Sequence, residues 1–140
     1  MARLVRDVMT FDPITCKASA PVTSAARLMR DRDIGDVLIE DDDGLLRGIV
    51  TDRDIVVRCV ADERDPSQVT LSEICSDELV TVTPDTELSE AVEFMRRSAV
   101  RRLPVVDAGQ AVGIVSIGDL AIEEDPASAL ADISAAEPNT

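Results

Sequence analysis

Residues 48–55 read Gly48-Ile49-Val50-Thr51-Asp52-Arg53-Asp54-Ile55, and residues 113–120 repeat the pattern as Gly113-Ile114-Val115-Ser116-Ile117-Gly118-Asp119-Leu120. Each is a short apolar run that passes straight into a helical one, with a hydroxyl side chain at the junction and an aspartate three positions later. At such a junction the first-turn N–H groups are unpaired and the helix dipole is positive. A hydroxyl and a carboxylate placed there serve either to cap the helix or to contact a bound polar molecule.

The repetition extends outward from these two stretches. Gly48 and Gly113, and Asp54 and Asp119, are 65 residues apart, whereas Val22 and Leu88, Ala25 and Ala91, Met29 and Met95, and Ile34 and Val100 are 66 apart. One deletion accounts for the difference and falls in a turn, where Asp41-Asp42-Asp43-Gly44 faces Asp107-Ala108-Gly109-Gln110. The chain is a tandem repeat of about 60 residues.

At 140 residues the chain is one ordinary domain by length, and two half-domains fit it better than two large independent cores. Fourteen Lys and Arg against 28 Asp and Glu give a net charge of −14, which repels phosphate backbones and anionic lipid. With no Trp or Tyr and only two Phe there is no aromatic platform for stacking bases. Neither nucleic acid nor membrane is therefore an expected partner. The N-terminus lacks an apolar core of signal-peptide length, and no run approaches the roughly 20 apolar residues of a membrane span, so a cytoplasmic protein is expected. Cys16, Cys59 and Cys75 are odd in number, lack CxxC spacing and have no His beside them, which leaves no metal-ligand set and reads as reduced, buried thiols.

In chain order, Leu4 to Met9 is a short helical lead-in, followed by a strand Ile14–Cys16. A helix is predicted from Pro21, with Val22, Ala25, Ala26 and Met29 on one face at helical spacing. Val37–Ile39 and Gly48–Val50 are the strands of a hairpin turned by Asp41–Gly44, and a helix from Asp52 to Val60 is expected to bury Ile55, Val56 and Cys59. Residues 61–68 are polar and contain Pro66, which reads as a linker. The second half replays the first: lead-in Leu71–Cys75, strand Leu79–Val82, helix face Leu88, Ala91, Val92 and Met95, hairpin Arg102–Val106 with Val112–Val115, and a short helix Gly118–Ile122. The Ala-rich stretch 127–136 is either a docked short helix or a loose tail.

The expected fold class is α/β (α+β), each half ordered β-α-β-β-α. With that order and the doubled junction motif, the chain resembles a stand-alone pair of CBS domains, the module named after cystathionine β-synthase. The resemblance rests on two matches to G-[IV]-V-[ST]-x-x-D-[IL] and on Val100-Arg101-Arg102-Leu103-Pro104-Val105. It divides the chain into a first repeat at 3–61, a linker at 62–68, a second repeat at 69–122 and an acidic, Ala-rich tail at 123–140. It implies two half-domains packed with pseudo-twofold symmetry, binding of an adenosyl ligand such as AMP, ADP, ATP or S-adenosylmethionine, no required cofactor, a homodimer, and an output through an effector protein the sequence does not identify.

By position, the resemblance implies a first cleft that combines Ile49, Thr51 and Asp54 with Leu79, Val80, Val100, Arg101 and Arg102. Asp54 would accept from ribose hydroxyls, Thr51 would bond sugar or phosphate, and Leu79, Val80 and Val100 would flank the purine. Arg101 and Arg102 would neutralise phosphate through charge-assisted bonds. A second cleft would combine Ile114, Ser116 and Asp119 with Ile14, Ile34, Gly35 and Asp36. There the wall carries an acid and no base. At about 4 Å and an effective dielectric near 20, a carboxylate facing a phosphate costs about 4 kcal/mol, roughly a thousandfold in affinity. A nucleoside or no ligand remains for that cleft.

Each candidate also has a simpler reading. Thr51-x-x-Asp54 and Ser116-x-x-Asp119 match a capping box, and Arg101 and Arg102 suit a sheet edge, where charge discourages strand pairing. Arg53 and Arg58 read as surface charges balancing local acids, and Asp41–Asp43 as a solvated turn. No His, no nucleophile beside a base and no metal cluster leave no catalytic residues to name, so the chain does not read as an enzyme.

Overall fold

The computed structural model describes residues 3–77 and 79–119. The expected helix over 127–136 and the end of the one over 118–122 lie outside them. The chain divides into two compact units, with boundaries between Pro13 and Ile14 and between Leu79 and Val80. The fold is mixed α+β, with one three-stranded sheet in each unit.

In the unit formed by residues 14–79, β2 (Thr15–Lys17) pairs parallel with β3 (Asp36–Glu40), and β3 pairs antiparallel with β4 (Leu46–Thr51). Helix α1 (Val22–Arg32) lies between β2 and β3 in sequence and buries Val22, Ala25 and Met29, the face that the i, i+3, i+7 spacing requires. Pro21 is its N-cap rather than its first helical residue, and Asp33 closes it in the left-handed region at φ 54°. After β4 comes α2 (Asp52–Ile55), which widens into a π-helical turn over Val56–Val60. α3 (Leu71–Ile74) returns the chain to α1: Val22 N–H donates to Val69 O at 2.9 Å and Leu71 N–H to Ala20 O at 2.9 Å. The core gathers Val22, Ala25, Met29, Val37, Ile39, Val50, Cys59, Leu71 and Ile74.

The helix after β4 departs from expectation. Cys59 is fully buried, but Val56 is 57% exposed, and Val57 and Val60 are exposed beside it. The π-turn and the early end of α2 turn Val56 outward, while Cys59 stays in the core and Ile55 packs half-buried against it.

The other unit joins residues 3–13 to 80–119. A 3-10 turn Val5–Asp7 leads to β1 (Thr10–Phe11), and α4 (Leu88–Ser98) precedes the hairpin of β5 (Arg102–Asp107) and β6 (Gln110–Ser116). The sheet order is β1-β6-β5, so β1 adds an edge strand that the sequence pattern does not announce. Here the N-terminal segment takes the place that residues 69–71 take in the first unit: Leu88 N–H donates to Arg3 O at 3.0 Å, the counterpart of Val22 to Val69. Val5, Leu88, Ala91, Met95, Leu103, Val105 and Val115 form the core.

The expected strand Leu79–Val82 is reduced to one bridge, Val82 to Val105. Pro104 supplies the reason. In the first unit Leu38 N–H donates to Ile14 O at 3.1 Å and holds β2 to β3. The residue at the matching place is Pro104, which has no N–H to give Val80, and a proline suits the edge strand it occupies. Only Val82 keeps its pairing, donating to Pro104 O at 3.1 Å and accepting from Val106 N–H at 2.8 Å.

Candidate functional site

Each junction aspartate closes a capping box. Asp54 N–H donates to Thr51 Oγ1 at 3.0 Å, and Thr51 N–H donates to Asp54 Oδ2 at 2.9 Å. Asp119 N–H and Ser116 Oγ, and Ser116 N–H and Asp119 Oδ2, make the same pair at 3.2 Å each. The hydroxyl and one carboxylate oxygen thus satisfy first-turn donors that the helix leaves open. Asp54 is not spent by this: its Oδ1 lies 3.9 Å from Arg58 Nη2, and its side chain remains 17% exposed. Arg58 is more than the surface charge expected, because its Nη1 donates to Ile74 O at 2.9 Å.

The strand ends beside the two junctions carry opposite charge. In the first unit Asp36 stands across from Thr51 in register, and Asp52 N–H donates to Gly35 O at 3.0 Å. The Asp52 carboxylate lies 3.4 Å from where a Cβ on Gly35 would be, so three acids, Asp36, Asp52 and Asp54, share this junction. In the other unit Arg102 stands across from Ser116, and Ile117 N–H donates to Arg101 O at 2.8 Å. Arg102 is half-buried, Arg101 is exposed, and neither is without a partner.

The remaining candidates fall as follows. Ile49, Thr51, Asp54, Leu79, Ile14, Ile34 and Gly35 belong to the unit of residues 14–79; Val80, Val100, Arg101, Arg102, Ile114, Ser116 and Asp119 belong to the other. Ile34 and Ile14 pack on the first core, Val80 and Val100 on the second. Gly48 and Gly113 serve the packing of the backbone, since a Cβ on them would lie 2.6 Å from Ser76 O and 2.7 Å from Thr10 O. A depression of about 270 Å³ lined by Ser89, Glu90, Glu93, Phe94 and Arg97 lies along α4 and involves none of the motif residues.

Cys16, Cys59 and Cys75 are free thiols, with Cys59 buried; burial pushes the Cys16 and Cys75 thiols above their ordinary value. Among the described residues no three His, Cys, Asp or Glu side chains gather as a metal site, and no helix is long and apolar enough to cross a membrane. Asp41 organises its acidic turn itself, its Oδ1 accepting from Asp43 and Leu45 N–H at 2.9 and 3.0 Å.

A family model for the CBS domain matches residues 5–60 and 71–124. The chain belongs to the CBS-domain family and carries two copies of the domain, the regulatory pair that the resemblance implied. It is 40% identical over 134 residues to the CBS domain-containing protein YhcV of Bacillus subtilis, covering 93% of this chain and 94% of that one. A crystal structure of Hypoxic Response Protein I with two coordinated zinc ions is similar at 35% identity and a TM-score of 0.79, covering 86% of this chain and 98% of that one. The CBS domain pair of protein MJ0100, solved in complex with 5'-methylthioadenosine and S-adenosyl-L-methionine, is similar at 26% identity and a TM-score of 0.77, covering 91% and 99%.

Proposed function

We propose that this protein is a cytoplasmic, non-catalytic regulatory module that binds an adenosyl ligand through Thr51, Asp54, Val80, Arg101 and Arg102 and passes the signal to an effector protein. The observation that carries the reading is the state of Asp54. Its capping duty uses Oδ2 alone, and Oδ1 faces a cation at 3.9 Å across partly exposed space, ready to accept from a sugar hydroxyl. Val80 supports it as well: with Pro104 opposite, its carbonyl lacks the ladder donor that Ile14 has in Leu38, and it suits an exocyclic amine of a base. The guanidinium groups of Arg101 and Arg102 suit a phosphate, whereas Asp36 and Asp52, at the matching strand end of the first unit, oppose one. In this reading Ile114, Ser116 and Asp119, with Ile14, Ile34 and Gly35, serve at most a ligand without phosphate.

A homodimeric interaction protein with ligand-free clefts is the second reading, favoured by the exposed row Val56, Val57 and Val60. The two are separated by a thermal-shift panel of AMP, ADP, ATP, inosine monophosphate and S-adenosylmethionine. Stabilisation by adenine compounds and not by inosine monophosphate supports sensing. No shift with any of them leaves the interaction reading alone.

A further inference from the structure

We infer that Arg58 is a positioning residue that couples occupancy of Asp54 to the segment through which the chain leaves its unit, an inference that rests on the ligand reading above. The guanidinium divides its two ends. Nη2 lies 3.9 Å from Asp54 Oδ1, and Nη1 donates to Ile74 O at 2.9 Å. That carbonyl belongs to the last turn of α3, where backbone acceptors have no intrahelical donor, so Arg58 is what holds the helix end from the side of the Thr51 junction. Two residues on, Ser76 exchanges both backbone bonds with Ile49: Ser76 N–H to Ile49 O at 2.9 Å and Ile49 N–H to Ser76 O at 3.1 Å. The chain then crosses to the other unit between Leu79 and Val80.

Arg58 sits in the π-helical turn Val56–Val60, a distortion that recurs at functional sites. The same position of the second repeat is Glu123, so the device belongs to one repeat and not to the fold at large. The guanidinium holds Nη1 and Nη2 apart in one rigid plane and so reaches two separated acceptors in a fixed geometry, which the compact, freely rotating ammonium of a lysine does not. When a hydroxyl takes Asp54 Oδ1, the charge that draws one arm of Arg58 is engaged elsewhere, and the other arm holds Ile74 O more firmly. Ligand binding therefore tightens residues 74–76, directly before the crossing.

The test is residue-resolved amide exchange on the full chain, free and with saturating AMP. In the free protein, Arg58→Met is expected to speed exchange of the Ser76 amide at least tenfold with the Leu38 core amide unchanged. AMP is expected to slow Ser76 more than Leu38 in the wild type and to lose that selectivity in Arg58→Met. Should Arg58→Met fail to fold, Arg58→Lys carries the comparison, with AMP bound but the selective slowing absent. AMP binding with equal slowing of Ser76 and Leu38, or with selectivity kept in the variant, overturns this inference and spares the ligand reading. No binding of any adenosyl compound by the wild type overturns both.

Discussion

Ser76 seats its carbonyl oxygen against Gly48 so closely that a Cβ there would lie 2.6 Å from that oxygen and 3.0 Å from the Cys75 sulfur. The carbonyl is held in place by Ile49 N–H at 3.1 Å, so it does not yield cheaply. Gly48→Ala is expected to cost about 1–3 kcal/mol, as overpacking does, and Gly113→Ala a similar amount against Thr10 O. Gly35→Ala meets only the Asp52 side chain, at 3.4 Å, and should stay within about 0.5 kcal/mol of wild type. Urea midpoints at unchanged slope measure all three.

Ala99 closes α4 at φ 54°, a left-handed conformation that costs a residue with a Cβ about 1 kcal/mol. Ala99→Gly is expected to raise the unfolding free energy by up to that amount, read as a higher urea midpoint at unchanged slope. At the matching place Asp33 has the same φ, and aspartate tolerates it better, so Asp33→Gly should gain less.

Glu73 completes the cap of α3, and the Thr70 amide and the Arg64 guanidinium hold its carboxyl below its ordinary value of 4.5. A depressed folded-state value means that the unfolded chain binds the proton more readily, so this contribution is present above 4.5 and is lost as pH falls through the folded value. Glu73→Gln should flatten the acid limb of a stability–pH curve and leave its shape above about pH 6 unchanged, read by urea midpoints across that range.

Val56, Val57 and Val60 stand exposed together on one short helical stretch, a contiguous apolar row of the kind that marks an interaction surface. If it is the homodimer contact, replacing all three by Ser should convert the protein to a monomer in light scattering while the urea midpoint of the isolated fold changes little. A wild-type monomer at tens of micromolar removes the dimer.

The repeat made most of the fold legible. Buried positions such as Val22 with Leu88 and Val37 with Leu103 occur at matched spacing, and both hairpins and both long helices formed where their periodicity put them. What escaped depended on partners distant in sequence. Pro104 erases most of a strand by withholding one N–H from Val80, and no local pattern in 79–82 carries that information. Thr10 and Phe11 become a strand only because β6 offers an edge, and Val56 is exposed because the helix widens after Ile55. At the junctions the sequence left capping and ligand contact as alternatives; the structure has Asp54 capping with one oxygen, a division that spacing alone does not specify. Nothing beside Arg58 in the chain points to its bond with Ile74 O, which spans 16 residues.

Everything proposed for the ligand turns on Asp54 receiving a sugar hydroxyl of an adenosyl compound. Isothermal titration of AMP into wild type, Asp54→Ala and Arg102→Ala bears on that contact without intermediaries. Saturable binding to the wild type is expected, with a loss of at least tenfold in Asp54→Ala and a smaller loss in Arg102→Ala that is absent for adenosine. AMP binding to Asp54→Ala with wild-type affinity contradicts the assignment.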